Sequence, residues 1–174
     1  AKGLLISAIR DPDPVIFFEP KKIYRAIKEE VPEKEYLIPL GKANVKKEGK
    51  DVTLITYGAA VKTALEAVQS MNDVDVEVID LRTLYPFDEE TIINSVKKTG
   101  KAVVVHEAQK TCGFGAEIVA RINEKALYSL QAPVERVTGW DIIVPFPKNE
   151  NLYLVNQQRI IHAVKKVMKA ASGS

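Results

Sequence analysis

From Asp51 onward the chain alternates between two hydrophobic periods. Val52 to Tyr57, Val76 to Asp80, Ala102 to Val105 and Val134 to Thr138 are short, nearly continuous apolar runs bounded by turn residues. That is the pattern of strands buried on both faces. Between them apolar residues recur at helical spacing. Val61, Ala64, Leu65, Val68 and Met71 share one helical face, and Ile92, Ile93 and Val96 share another. A third helix runs from the Gly113–Gly115 turn to about Leu127, and a last one carries Ile160, Ile161, Val164, Val167 and Met168. Asp88 can cap the second helix, Glu89 and Glu90 complement its dipole, and Lys97, Lys98 and Gly100 suit its end. Lys42–Lys47 and Asp51–Tyr57, joined by Glu48-Gly49-Lys50, read as an antiparallel pair. The order predicts an α/β fold: three layers, α/β/α, around a mostly parallel mixed sheet with right-handed crossovers.

The first forty residues do not follow this rhythm. Gly3–Ile9 reads as the end of a helix, broken at Asp11–Pro14 by two prolines. Val15–Phe18 reads as a strand buried on both faces. A helix and one strand cannot bury themselves, so residues 1–18 are expected to be the remnant of a preceding domain. Residues 19–40, with Pro20, Pro32 and Pro39, form a linker with a helical turn around Ile23 to Ile27. The main domain is placed at 41–170, and the small, polar end from Ala170, bounded as 171–174, is expected to be disordered.

Composition narrows the function more than the fold. A chain of 174 residues with 46% apolar and 28% charged residues has ample core material for one domain. A net charge of +2 is too small for a nucleic-acid or membrane surface, and the cluster Lys21, Lys22, Arg25, Lys28 is followed at once by Glu29 and Glu30. No run approaches the ~20 apolar residues that span a bilayer, and the start lacks a signal-peptide cleavage pattern. Cys112 is the sole cysteine. It reads as an incidental thiol in a reducing cytoplasm, without metal-ligand spacing around it.

The candidate chemistry gathers where two strands end. VEVIDLRTLYPFD and AVVVHEAQKTCGFGAEI bring Arg82, Asp88, His106, Glu107 and Gly113–Gly115 to one sheet edge, where open α/β sheets bind ligands. His106-Glu107 follows a strand. Zinc is excluded, because Lys110 stands where a helical metal site needs its second histidine. His106 is then either an active-site-edge group or a hydrogen-bonded structural histidine, and the structural role is favoured. Gly113-Phe114-Gly115 could receive an anion at a helix start or allow tight strand-to-helix packing. It lacks the third glycine of the dinucleotide fingerprint, so packing is favoured, with Phe114 available to a partner. Arg82, between Asp80 and Asp88, is expected to bridge loop carbonyls and an acid, and Tyr85-Pro86-Phe87 supplies aromatic area beside it. WDIIVPFP, from Trp140 to Pro147, is too apolar for a solvent loop: it is either buried against its own domain or an association surface, and the association surface is slightly favoured. His162 is expected at or near the surface. No nucleophile-base-acid set, acid/base pair or phosphate cradle emerges, which points to a helper domain.

At these residues the chain resembles the β subunit of the E1 component of 2-oxoacid dehydrogenase complexes. The resemblance runs through KGLLISAIRDPDPVIFFEPKKIYR, VPEKEYLIPLGKA, DVTLITYGAAV, VEVIDLRTLYPFD, VVVHEAQKTCGFGAEIVARI and APVERVTGWDIIVPFP, in that order. It implies that residues 1–18 end a pyrimidine-binding domain and that the chain from about Gly41 is a transketolase C-terminal-like domain. It further implies an α2β2 oxidoreductase that uses thiamine diphosphate and Mg to decarboxylate a 2-oxo acid and acylate the lipoyl group of E2. HEAQKTCGFGAEI is somewhat more similar to the branched-chain branch than to the pyruvate branch. The cofactor-activating glutamate of the family lies upstream of Ala1, and its diphosphate and metal ligands lie on the α subunit. The segment alone is therefore expected to bind no cofactor and show no activity. The implied partners are the α subunit, a second β subunit and the peripheral subunit-binding domain of E2. The E2 surface falls around APVERV, with Gln131 and Glu135 as candidates; Glu135 is the better one because an acid can steer a basic partner. Two alternatives stand beside this reading: another transketolase-superfamily enzyme, and a flavodoxin-like module reading an anion at Gly113–Gly115.

Overall fold

A computed structural model describes residues 1–26 and 28–173. Five strands form one sheet in the order β1-β3-β2-β4-β5: β1 (Asn44–Lys47), β2 (Val52–Thr56), β3 (Val76–Asp80), β4 (Ala102–Gln109) and β5 (Glu135–Gly139). The pairs β2–β3, β2–β4 and β4–β5 are parallel, and β1–β3 is antiparallel. The mixed, mostly parallel sheet expected from the alternating pattern is present. Preceding β1 are helix α1 (Lys2–Arg10) and a short 3-10 turn at Lys21–Ile23. Helices α2 (Ala60–Gln69), α3 (Glu89–Thr99), α4 (Gly115–Ala126), α5 (Pro147–Tyr153) and α6 (Gln157–Ala171) complete the chain.

The inner strands read as continuous apolar runs because both faces are covered. Val52, Leu54, Val103, Val105 and Val137 face α2 and α6, where Ala60, Ala64, Ala67, Ile160, Ala163 and Val164 are buried. Ile55, Ile79 and Val104 face α3 and α4 through Ile92, Val96, Ile118 and Ile122. The alanines of α2 let it lie close against its neighbours, so the buried stripe is centred on Ala64 and Val68 and leaves Val61 half-exposed. α3 is delimited as its sequence indicates. Asp88 accepts a hydrogen bond from the Thr91 amide, and Gly100 ends the helix at φ 68°. Asp88 also accepts from the Ala43 amide at 3.1 Å, which ties the start of the domain to this cap. Burial pushes the Asp88 carboxyl up, but those amides and the nearby Lys42 charge outweigh it and hold it below the usual carboxylate range.

One buried polar network lies at the opposite, amino-terminal end of the strands. Glu77, almost fully buried, accepts from Ser95 at 2.5 Å and pairs with Lys98, while Thr53 bridges Ser95 and Thr99. Every member has a partner, as an interior network requires.

Four expectations about the fold are corrected. Val15–Phe18 forms no strand; no neighbour offers it a ladder, and Ile16 and Phe18 are each 79% exposed. The connector instead holds α1, through Ser7 donating to the Ile38 carbonyl at 2.7 Å and the Arg10–Glu35 pair at 2.6 Å. β1 pairs with β3 rather than with β2, because β2 is central and both its edges are taken by parallel neighbours. β4 continues four residues past Val105, to Gln109, so His106 lies within the strand. α6 extends through Ala171, which packs on the core, so Ala170 and Ala171 are helical rather than part of a disordered tail. Helix α5, with Pro147 at its first position, has no apolar period to announce it. Ile27 and Ser174, included in the expected turn and tail, lie outside the described residues.

Candidate functional sites: a filled crevice and an open edge

The sheet order fixes where a ligand crevice belongs. After β2 the chain turns to α2 on one face, and after the adjacent β4 it turns to α4 on the other. Between those departing loops lies the topological switch point, at the carboxyl ends of β2 and β4, where such sheets bind ligands. The sequence candidates His106 and Gly113–Gly115 come together here, joined by Tyr57 from the end of β2.

The chain fills this crevice with its own rings. His106 is completely buried and stacks on Tyr57 at 5.9 Å between ring centroids. Phe114 meets Tyr57 edge-on at 6.1 Å and Phe87 at 5.5 Å. Phe114 is thus half-buried against the core, not presented outward to a partner. The Gly115 amide donates to Nε2 of His106 at 3.2 Å. An anion cradle would need that N–H free, so the structural role of His106 and the packing role of the glycines explain the motif, and the anion-binding module loses its site. A Cβ on Gly115 would lie 2.4 Å from His106 Nε2, and one on Gly113 would lie 2.2 Å from the Gln109 carbonyl oxygen. Both glycines make room for the imidazole and the turn around it.

Electrostatics fix the protonation of this plug. With Nε2 accepting, the proton of the neutral ring sits on Nδ1, which is buried without a hydrogen-bond partner. Burial holds His106 below the usual histidine value. The Ala108 backbone opposes that without forming a hydrogen bond to Nδ1, and the Arg136 charge reinforces it. Tyr57 is pushed up to about 12 by burial and by the Glu107 charge, so both rings are neutral near pH 7. An uncharged imidazole already bonded to a backbone amide is a packing element.

Arg82 and Asp88 do not join this cluster. Arg82 has a left-handed backbone, φ 60°, with its amide on Asp80 at 3.1 Å. Among the described residues its guanidinium makes no hydrogen bond or ion pair, so the expected bridge is absent. Asp88 serves as the α3 cap. Among the described residues no group of three or more His, Cys, Asp or Glu side chains could hold a metal ion.

The other expected surface lies at β5, which pairs on one side only. Glu135 is half-buried and bonded to Lys166 at 2.7 Å. Gln131 is exposed, accepts from Lys101 at 2.9 Å, and packs over Gly100. Trp140 is half-exposed; its Nε1 donates to the Leu152 carbonyl, and the Arg159 guanidinium lies 4.4 Å from its ring centroid. The following loop exposes Ile142, Ile143, Val144 and Phe146, with Ile143 and Phe146 each at 92%. It is held in place while doing so: Gln109 donates to the Ile142 carbonyl, and Thr111 donates twice to Asp141. The apolar loop WDIIVPFP is thus exposed and anchored at once. His162 lines the adjoining groove. Sequence reading missed Tyr57, Arg136 and Arg159. Tyr57 was detectable as an aromatic ending a strand at the switch point, whereas nothing local marks either arginine.

The transketolase C-terminal domain family model matches residues 41–160. The pyruvate dehydrogenase E1 component subunit beta of Staphylococcus aureus (strain Mu50) is 52% identical over 171 residues, which cover 97% of this chain and 53% of that protein. The protein of the same name from Bacillus subtilis (strain 168) gives the same identity and coverage. In three dimensions a split-gene transketolase, solved as an inactive β4 tetramer, is similar with a TM-score of 0.68 at 27% identity, over 82% of this chain and 46% of that one. This chain spans about half the length of the curated relatives it matches. Among the described residues no helix is long and apolar enough to cross a membrane. With the family model covering more than half of the 174 residues and the same layered sheet found in a solved relative, the chain belongs to the transketolase C-terminal domain family.

Proposed function

We propose that this chain is part of the β subunit of a 2-oxoacid dehydrogenase E1 component and that its share of the work is subunit assembly and docking of E2. The observation that carries this reading is the 52% identity over 171 residues to proteins named as such subunits. The filled switch-point crevice supports the division of labour, since a helper domain has no use for a ligand there. In the whole enzyme, thiamine diphosphate with Mg supplies the carbanion that decarboxylates the 2-oxo acid. Residues 1–18 end the cofactor-binding domain, 19–40 link it, and the α subunit and a second β subunit complete an α2β2 assembly in the cytoplasm. The E2-facing surface is the β5 edge with Gln131, Glu135 and Trp140. The acyl donor is pyruvate, as in the named relatives, or a branched-chain 2-oxo acid, which HEAQKTCGFGAEI resembles.

The test is co-expression of the full gene with its α-subunit gene. An α2β2 mass by light scattering, with cofactor- and Mg-dependent turnover of pyruvate or a branched-chain 2-oxo acid, is expected. The 174-residue chain alone is expected to bind no thiamine diphosphate in calorimetry; stoichiometric micromolar binding would overturn the assignment to a helper portion. Sugar-phosphate transfer instead of decarboxylation would move the chain to the transketolase branch.

A further inference from the structure

The turn that closes the plug is also the turn that holds the apolar loop. At its inner end the Gly115 amide donates to Nε2 of His106 at 3.2 Å. At its outer end the Thr111 amide and hydroxyl donate to Asp141 at 2.9 and 2.8 Å, and Gln109 donates to the Ile142 carbonyl at 2.8 Å. Arg136 steadies the middle, donating to the Lys110 carbonyl at 2.9 Å. β4 and β5 part after Val105–Val137 and meet again at Gln109–Gly139, next to Trp140. His106 lies in that gap. Cys112, left-handed at φ 57°, bends the chain between the two pins. Residues 109–115 are thus one short connection, bonded to the imidazole on one side and to the loop on the other.

The inner pin depends on a proton. A neutral imidazole protonated on Nδ1 accepts from Gly115; an imidazolium carries an N–H on each nitrogen and accepts nothing. Its Nε2–H would face the Gly115 N–H, at the start of α4 where the helix dipole is also positive. The surroundings give a charged ring no relief. From β2 it meets the neutral Tyr57, from β5 the Arg136 charge acts on it, and Glu107, next along β4, acts on Tyr57. Among the described residues no acid pairs with it. We propose that residues 109–115 form an acid-released latch: when His106 takes a proton from solvent at Nε2, its bond to the Gly115 amide breaks, the turn swings away, and the loop from Trp140 to Phe146 loses its anchor. The outer pin is not the sensor. The Thr111 amide and hydroxyl hold the Asp141 carboxyl below the usual carboxylate range, so it stays charged while a histidine titrates. The latch goes beyond the docking reading and does not rest on it: whatever the exposed loop meets, it is held in one place only while the plug is closed.

Trp140 is the only tryptophan in the chain and stands at the base of the loop, so its emission reports on the outer pin. The sample is the 174-residue chain carrying His162→Gln, because His162, the other histidine, lines the groove beside Trp140. As pH is lowered from about 7 to about 5, Trp140 emission is expected to shift. Over the same range the protection of the Gly115 amide against hydrogen exchange should fall, by up to about tenfold per pH unit. Circular dichroism and the protection of the β2 amides should hold, which separates local opening from unfolding. His106→Gln, whose amide oxygen can accept from Gly115 at any pH, should abolish both responses. Asp141→Ala removes the Thr111 tie alone; it should keep the Gly115 response and diminish that of Trp140. A missing response at either residue, responses that persist in His106→Gln, an undiminished Trp140 shift in Asp141→Ala, or emission that changes only in step with circular dichroism would each overturn the latch. Should His106→Gln fail to fold, Asp141→Ala still decides the coupling.

Discussion

Two places on this sheet offered room for a ligand, and the chain treats them in opposite ways. At the carboxyl ends of β2 and β4 it inserts His106, Tyr57 and Phe114, strips the facing turn to Gly113 and Gly115, and bonds the free amide of α4 to the imidazole. At the β5 edge it leaves a strand paired on one side only, two arginines without acids, and a tryptophan half in water. The first arrangement turns a binding crevice into core; the second leaves apolar and cationic side chains at the surface. A fold can thus retain the architecture of a ligand-binding sheet while closing its crevice.

The contrast makes graded predictions. The largest effect belongs to the plug. Gly115→Ala places a Cβ 2.4 Å from His106 Nε2, so a loss of about 1–3 kcal/mol is expected in urea denaturation. Combining it with His106→Ala should cost less than the sum of the two single changes, because the same contact is lost in both. Simple additivity would mean that the glycine is not there for the imidazole.

Next comes pH. Because His106 is held below its ordinary value in the folded chain, both states are neutral above about pH 6.5 and the group contributes no slope there. As pH falls below that point the unfolded chain takes up the proton first. Stability should then decline toward the folded-state value by at most about 1.4 kcal/mol per pH unit from this group. His162 is the only other histidine. A slope between pH 6.5 and 5 that persists in His106→Gln would assign the effect elsewhere.

The smallest effect is expected at the edge. Glu135→Ala or Lys166→Ala removes a half-exposed pair and should change stability by less than about 1 kcal/mol. A much larger loss there would mean that the β5 rim is structural, and the contrast between the two regions would disappear.

Much of this molecule is written locally. The both-faces-buried runs at Val52, Val76 and Ala102 announced parallel strands, and the apolar spacing on α3 and α6 announced helices. Asp88 and Gly100 marked the ends of α3, because capping and left-handed turns depend on neighbours within four residues. The apolar character of the loop after Trp140 was legible too, and its side chains are exposed. The family resemblance is likewise a property of ordered segments and needs no coordinates.

What the tertiary structure alone decided involves partners far apart in sequence. β1 chose β3 because β2 was already flanked on both sides, a fact about sheet order that no pair of segments contains. Val15–Phe18 has strand composition but no strand, because a ladder needs an unpaired edge within reach. Phe114 points into the crevice and Arg159 reaches back to Trp140 and Thr138 only because three connections place them there. Periodicity reports which side of an element is buried; what it is buried against is settled when the layers close.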